Sequence, residues 1–386
     1  MPDAVIVAAH RTPIGTAFKG TLRATEPADL AVPVLQAVLR SAGIARDLVD
    51  DVVLAESLHG GGVIARYAAL EAGMTQVPGL AVNRHCAGGL SGIITAAAGL
   101  HLGDRAVVAG GVQSSSTAPV PMNRAHPDRP WLFESHRPTP DAPADDMSIT
   151  VGWNAARTQG ISREEQDAWA LRSHRRAVAA IADGQFDDEL VALHLKGEDG
   201  SVTDFSVDEH PRASTSADKL ASLRVLHPEI EGFSITAGNA SGINDAAAAV
   251  LVARSDVAAA HGLPVLARIV TGASVGVDPA QTGTAVPAAV LKALDRVGLT
   301  PADIDLWEIN EAFASVPIAA CRTLGLDESI VNPFGSGCSL GHPVAATGAR
   351  MVTTLAHELR RRGGGTAVAA MCAGGGMASA VVLTAA

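Results

Sequence analysis

Four short segments of this 386-residue chain set nucleophilic or proton-handling side chains among glycines. In VNRHCAGGLSG, Cys86 follows an apolar strand end and precedes an Ala-rich helix. Its thiol is therefore expected at a helix N-terminus, where backbone N–H groups and the positive helix end favour thiolate. Gly88, Gly89 and Gly92 let substrate and neighbouring elements approach the backbone. A buried small hydrophobe fits the position equally well. In WEINEAFAS, Trp307 and Ile309 end a strand, and Glu308, Asn310 and Glu311 cluster where it enters a helix. The Asn310 amide can orient a water or donate to a developing oxyanion, and capping of the next helix is the alternative. In NPFGSGCSLGHPVAATGARM, His342 stands between Gly341 and Pro343 on a rigid, glycine-rich loop that suits a general base, an oxyanion donor or a structural histidine. Cys338, four residues earlier, receives no role. In AVAAMCAGGGMASAVVL, Cys372 ends an apolar strand ahead of Gly374, Gly375 and Gly376. A thiol beside free amides fits acid–base work, and a core cysteine before a glycine turn fits too.

These residues need strands that end, and helices that begin, at one place. An internal echo supplies such elements. Leu35–Asp50 (LQAVLRSAGIARDLVD) is matched by Val290–Asp305 (VLKALDRVGLTPADID), each reading as helix, glycine stop and strand, with Gly43 and Gly298 at expected left-handed positions. Ala4–Val7 parallels Ala267–Val270, Val82-Asn83 parallels Val331-Asn332, and Ala106–Ala109 parallels Ala367–Ala370. Four echoes in one order predict two related α/β halves. Between them, residues 118–160 carry Pro, His, Arg and Asp clusters and read as loop, not regular structure. Ser162 with Glu165 forms a capping-box pattern opening a charged amphipathic helix over Arg163–Asp183, stopped at Gly184. The expected division is a first half of 1–117 plus 242–266, an inserted loop domain of 118–241, and a second half of 267–386.

Composition narrows the ligand classes. With 47% hydrophobic and 18% charged residues, the chain can bury a large core, and with only 12 aromatic residues it must fill that core with Ala, Val, Leu and Ile. A formal charge of −11 lacks the electrostatic footprint of a nucleic-acid binder, so an anionic ligand must be held by a local patch. The four cysteines have no CxxC spacing, which argues against a zinc site or a disulfide scaffold and makes reduced cytoplasmic thiols the expectation. The N-terminus shows no export signal, and the uncharged stretch from Gly363 to Ala386 reads as two buried strands around a glycine turn because its glycine runs argue against a membrane helix.

Taken together and in this order, the four segments resemble the thiolase family over essentially the whole chain. AVIVAAHRTPIG, GISREEQDAWALRSHRRA and TAGNASGINDAAAAV are similar to its members as well. The resemblance implies a thiolase-like α/β fold, with two repeated halves forming a layered α-β-α-β-α core and an inserted loop domain that contacts coenzyme A and the acyl group. It implies an acyltransferase that cleaves 3-ketoacyl-CoA with CoA, or condenses acetyl-CoA with acyl-CoA, by ping-pong transfer through an acyl-cysteine. Cys86 is then the acyl acceptor, His342 its activating base and Cys372 the acid or base on the second substrate. Asn310, with a water and His342, would hold one thioester oxygen, and the amides of Cys86 and Gly374 would form a second oxyanion hole. Arg212 near the adenine nucleotide, Leu223 along the ligand, Ser241 near the pantetheine and Met147 are the implied substrate contacts. CoA and acyl-CoA enter as substrates, with no separate cofactor and no metal. A homodimer or homotetramer in fatty acid metabolism is implied, with neither nucleic acid nor membrane as partner. Ketoacyl synthases share the fold and a cysteine nucleophile, but Asn310 in NEAF together with the Cys372 segment favours thiolase. The alternatives are a decarboxylating condensing enzyme of the ketoacyl synthase kind and a non-catalytic CoA-binding subunit, which would show a broken Cys, Asn, His, Cys set.

The chain departs from the commonest thiolase pattern at Asp146, where acetoacetyl-specific members usually have His; at Gln113, where Glu is usual; and at His227, where an apolar aromatic is common near the pantetheine channel. None of the four catalytic positions is touched. The expectation is an altered acyl preference, toward longer or branched 3-ketoacyl chains.

Overall fold

A computed structural model describes residues 2–59, 63–130, 134–196 and 200–385. The two halves of the sequence echo become two halves of one continuous sheet. Its first half consists of β1 (Ala4–Arg11), β2 (Val49–Ala55), β3 (Gly79–Val82), β4 (Ala106–Gln113) and β5 (Asn244–Arg254) in the order β1-β5-β4-β2-β3. The second consists of β6 (Ala267–Gly276), β7 (Leu306–Ile309), β8 (Gly365–Ala373) and β9 (Met377–Ala385) in the order β6-β9-β8-β7, and Val331 bridges Trp307 at its outer edge. Each echoed strand thus occupies the same rank in its half: β1 matches β6, β4 matches β8, and Val82 matches Val331.

The halves join where β1 and β6 pair antiparallel over only three residues, Ala4–Ile6 against Ala267–Ile269. Beyond Ile6 the β1 register shifts against β5, so the strands part and the sheet becomes two layers. Between these layers run two inner helices, which begin at the site. In chain order the main helices are α1 (Pro27–Ala42), α2 (Ile64–Glu71), α3 (Gly88–Leu102), α4 (Arg163–Ala182), α5 (Val286–Asp295), α6 (Ser315–Leu324) and α7 (Thr347–Arg362). The inner core joins Leu90, Ile93 and Leu100 of α3 with Met351, Val352 and Leu355 of α7 and with both sheet halves. An outer core lies under α1 and α2, and another under α5 and α6. The layering is α-β-α-β-α, and the all-aliphatic middle explains why so few aromatic residues suffice.

Local signals act as expected at several ends. Gly43 and Gly298 take left-handed φ values of +64° and +68°, the first as the cap of α1 and the second beyond the end of α5. Ser162 and Glu165 form the reciprocal capping box of α4. The stretch 363–386 is the β8–β9 hairpin as far as it is described, turning through Gly374–Gly376.

One expectation is corrected. Residues 118–160 are not wholly irregular: Met122–Asn123 pairs with His126–Pro130, Ser148–Trp153 forms a wide π-helical turn, and Asn154–Thr158 continues as α-helix. The sequence SITVGW, with β-branched residues and a glycine, is a poor helix former. Tertiary bonds hold it instead. The Asn154 amide donates to Asp141 O (2.7 Å) and Ala280 O (3.2 Å), and Ser315 Oγ donates to Gly152 O (2.8 Å).

Candidate active site

Cys86 precedes the first turn of α3, with Ala87 as the N-cap. The residue before it, His85, has φ +46°, a left-handed conformation that side-chain-bearing residues rarely adopt. It is held there by its own N–H to Asn83 Oδ1 (2.8 Å) and by Ser57 Oγ donating to its carbonyl (3.1 Å). The first turns of α3 and α7 cross at reciprocal glycines. A Cβ on Gly89 would lie 2.6 Å from Ala349 N, and one on Gly348 would lie 2.5 Å from Leu90 N. This close crossing carries the His342 loop, which leads into α7, to the Cys86 end of α3.

His342 is buried, and its two ring nitrogens differ. Nδ1 lies 2.7 Å from Thr347 Oγ1, while the single hydroxyl hydrogen of Thr347 goes to Pro343 O at 2.9 Å. The hydroxyl can then only accept from the ring, which assigns the proton to Nδ1 and leaves Nε2 a bare acceptor. That Nε2 is buried with no hydrogen-bond partner. Burial, followed by the Arg350 charge, pushes the imidazole down to about 3, so it stands neutral. The loop is fixed at its backbone as well: Asn244 Oδ1 accepts from His342 N–H (3.0 Å) while Asn244 Nδ2 donates to Gly15 O (2.9 Å). Gly341, at φ +101°, is required here, because a Cβ would meet Asn244 Oδ1 at 2.4 Å.

Cys372 ends β8, and Gly374 follows in the turn. The Gly374 N–H is directed at the Cys86 thiol, joined by the Cys86 amide itself. Burial nevertheless outweighs both donors and pushes the Cys86 thiol up to about 11. The lowering expected of a helix N-terminus is thus outweighed by desolvation, although the Cys86 side chain is only half-buried. Burial and then the neighbouring Cys86 also push the Cys372 thiol far up, so the two sulfurs stand close together and protonated. All four cysteines are free.

Asn310 follows β7, and both atoms of its buried side-chain amide lack hydrogen-bond partners. Its carboxylate neighbours are occupied. Glu311 accepts from Trp169 Nε1 (2.8 Å), Ser173 Oγ (2.6 Å) and Asn332 Nδ2 (2.9 Å), and Glu308 accepts from Arg350 Nη1 (2.5 Å) and Ser336 Oγ (2.8 Å). Of the two readings of WEINEAFAS, the acids build structure, Glu308 through Oε1 only, while both amide atoms of Asn310 stay unpartnered, as do Glu308 Oε2 and Trp307 Nε1. It is held from both sides: its own N–H donates to Ala370 O (3.0 Å), and the Asn332 side chain clamps Ile309 N and O (2.7 and 2.8 Å). Cys338 sits buried with its sulfur 3.7 Å from Asn239 O and Glu311 O, a packing position.

The inserted region gives more dispersed positions. Met147 Sδ is 3.7 Å from where a Cβ on Gly374 would stand, so Met147 lies against Gly374. The Ser241 N–H donates to Ala312 O (2.9 Å), next to the Asn310 segment. Leu223 is 37% exposed on the loop after the short helix Ala217–Ala221. Arg212 is exposed, its N–H donating to His174 Nδ1 (3.1 Å). Gln113 is buried in β4, its Nε2 donating to Ser115 Oγ (3.3 Å). Sequence reasoning missed Thr347, Asn244 and Asn332. Each acts by holding a functional residue and does no chemistry of its own, and only the GNASGIND run offered a local signal for one of them. Among the described residues no group of three His, Cys, Asp or Glu could hold a metal ion, and no helix is long and apolar enough to cross a membrane.

A family model described as the thiolase N-terminal domain matches residues 4–256, and one described as the thiolase C-terminal domain matches residues 263–385. The acetyl-CoA acetyltransferase of Pseudomonas aeruginosa is 40% identical over 375 residues, covering 94% of either chain. A beta-ketothiolase of Cupriavidus necator is 41% identical over 373 residues, 93% of either chain. The 3-oxoadipyl-CoA/3-oxo-5,6-dehydrosuberyl-CoA thiolase of Escherichia coli is 38% identical over 380 residues, 94% of either chain. Among solved structures, the Bacillus anthracis acetyl-CoA acetyltransferase aligns over 100% of this chain and 99% of its own, with a TM-score of 0.92 at 40% identity. Human mitochondrial 3-ketoacyl-CoA thiolase aligns over the same shares, with a TM-score of 0.89 at 34% identity.

Proposed function

The chain belongs to the thiolase family, and on that premise we propose that it is an acyltransferase moving acyl groups between CoA thioesters through acyl-Cys86. The observation that carries this reading is the pair of amides, Gly374 and Cys86, directed at the Cys86 thiol beside a second protonated thiol, Cys372. In the cleaving direction the Cys86 sulfur attacks the 3-keto carbon while its proton passes to His342 Nε2, the unpartnered acceptor. With the thiol raised and the imidazole lowered, proton transfer and attack proceed together, without a standing ion pair. The developing oxyanion takes donors that are already aimed. The C2–C3 bond then breaks, its electrons go to C2 as the enolate of acetyl-CoA, and Cys372 supplies the proton. Free CoA attacks acyl-Cys86 in the second half-reaction, giving up its thiol proton to the site and releasing the shortened acyl-CoA. Condensation is the same sequence reversed, with Cys372 removing the proton from the acetyl methyl.

Arg212, Leu223 and Ser241 are proposed CoA contacts, and Met147 an acyl contact. The buried amide of Asn310, with both polar atoms unpartnered, supports its role in holding a thioester oxygen through a water. A role in fatty acid metabolism in the reducing cytoplasm fits four unbonded cysteines. A homodimer or homotetramer fits β3, an edge strand whose Leu80 is 42% exposed, and light scattering of the purified chain tests it. The reaction is tested with Cys86→Ala, which is expected to abolish thiolysis of every 3-ketoacyl-CoA while leaving the fold intact. Near-native turnover by that variant would sink the assignment.

A further inference from the structure

Two of the departures from the common thiolase pattern meet in space. His227 Nε2 is 2.8 Å from Asp146 Oδ2, and His227 Nδ1 is 2.7 Å from Glu229 Oε1. A neutral imidazole has one N–H, and its bare nitrogen would repel a facing carboxylate, so a ring held between two carboxylates is an imidazolium. Glu229 and Asp146 correspondingly raise its pKa. Of its other neighbours, Phe233 makes an apolar edge-on contact (5.0 Å, 76°), and Arg224 acts on Glu229. Phe233 leans in turn on Trp153 (5.3 Å), at the end of the π-helical turn.

Asp146 caps that turn, its carbonyl accepting from Thr150 N–H (3.1 Å). Its other oxygen, Oδ1, accepts from Ser148 N–H (2.9 Å) and Ser148 Oγ (2.6 Å). One residue on, Met147 lies against Gly374, whose amide points at Cys86. Upstream, Thr139 and Ala142 form an isolated bridge, Pro143 O accepts from Thr150 Oγ1 (2.7 Å), and Asp141 O accepts from the Asn154 amide (2.7 Å). Met147 is held by its contact at Gly374, by packing on the core under α5 and α6 and by the turn's own bonds, among them Thr150 N–H to Asp146 O (3.1 Å), and the tie from Asp146 to the separate loop that carries His227 is the one among these that can titrate.

We propose that the Asp146–His227 ion pair is a positioning latch that determines acyl specificity, pinning the Met147 segment against Gly374 and thereby fixing the wall of the acyl pocket. The inference rests on the thiolase reading above and goes beyond it by assigning chain-length selection to a pair that touches neither Cys86 nor CoA. The latch is made by the imidazolium, so it is closed below the raised pKa of His227 and opens as pH rises through it. An open latch removes one of the ties on the Met147 segment, loosens that wall and admits a longer acyl chain.

The test compares kcat/KM for thiolysis of 3-ketohexanoyl-CoA with that for acetoacetyl-CoA between pH 6 and 9, in the full-length protein and in its His227→Phe and Asp146→Asn variants. The wild-type ratio is expected to rise with pH by about ten-fold, the lower end of what a methylene's fit in an apolar pocket supplies. In both variants it should be high and flat. A purely structural pair would lower melting temperature without moving this ratio with pH. A flat wild-type ratio, or the same pH drift in His227→Phe, overturns the latch. A readout free of turnover accompanies it: the His227 ring protons, followed by NMR, should titrate above the ordinary histidine value in the wild type and lower in Asp146→Asn. Wild-type protein that cleaves no 3-ketoacyl-CoA would defeat the thiolase reading, and a His227 titrating at or below the ordinary value would separately defeat the latch.

Discussion

Thr347 gives the sharpest test of how the site is built. Its hydroxyl fixes which nitrogen of His342 is bare, so Thr347→Val removes the acceptor and preserves the shape. In the resting state this leaves a buried Nδ1–H without a partner, a loss of about 1–3 kcal/mol of stability. The effect on rate is a difference between states. When His342 takes the Cys86 proton, its Nδ1–H bond becomes charge-assisted and roughly twice as strong as a neutral one. A neutral bond is worth about 1 kcal/mol net, so the state with the imidazolium loses about 1 kcal/mol more than the resting state. That is about five-fold in rate, and further loss comes from rings that adopt the other tautomer and turn a proton toward Cys86. The assay is single-turnover acylation of Cys86 by labelled acetyl-CoA, with denaturant unfolding alongside. Thr347→Val should acylate at least about five-fold more slowly. Thr347→Ser, which keeps the hydroxyl, should recover most of that rate. Wild-type acylation by Thr347→Val, with only its stability reduced, would refute the tautomer argument.

Other outcomes follow from the same contacts. Because burial pushes Cys86 up to about 11, alkylation of the free enzyme by iodoacetamide should climb steadily from pH 6 to 9; a plateau near neutrality would reveal a standing thiolate and contradict the burial argument. The Arg350–Glu308 pair is almost wholly buried on both sides, so Arg350→Leu should cost about 3–5 kcal/mol in chemical denaturation by stranding the Glu308 carboxylate. The double variant with Glu308→Leu should regain much of that loss. At Gly348, an added methyl would meet Leu90 N at 2.5 Å, so Gly348→Ala should spread the α3–α7 crossing and lower kcat more than it raises KM. Unchanged kcat would show that the crossing does not set the distance between His342 and Cys86.

The chain announces much of this through local residue types. Cysteines, a histidine and an asparagine beside glycines mark where backbone must come close and where polar atoms can be left exposed to a ligand, and the repeated helix–glycine–strand pattern dictates two equivalent half-sheets. Capping at Ser162 and the left-handed glycines are decided within a few residues, so they are read correctly from sequence alone. What tertiary structure decided is electrostatic and long-range. The resting charge of Cys86 depends on how much water the surrounding layers exclude, a quantity no local pattern encodes. The helical turn at Ser148–Trp153 exists against its own propensities because Asp141, Ala280 and Ser315 hold it. The tautomer of His342 is set by one hydroxyl, and the meeting of Asp146 with His227 joins residues far apart in the chain. Sequence fixes which groups are present and which local turns they can make; desolvation and pairing across the fold determine their protonation and what they can do.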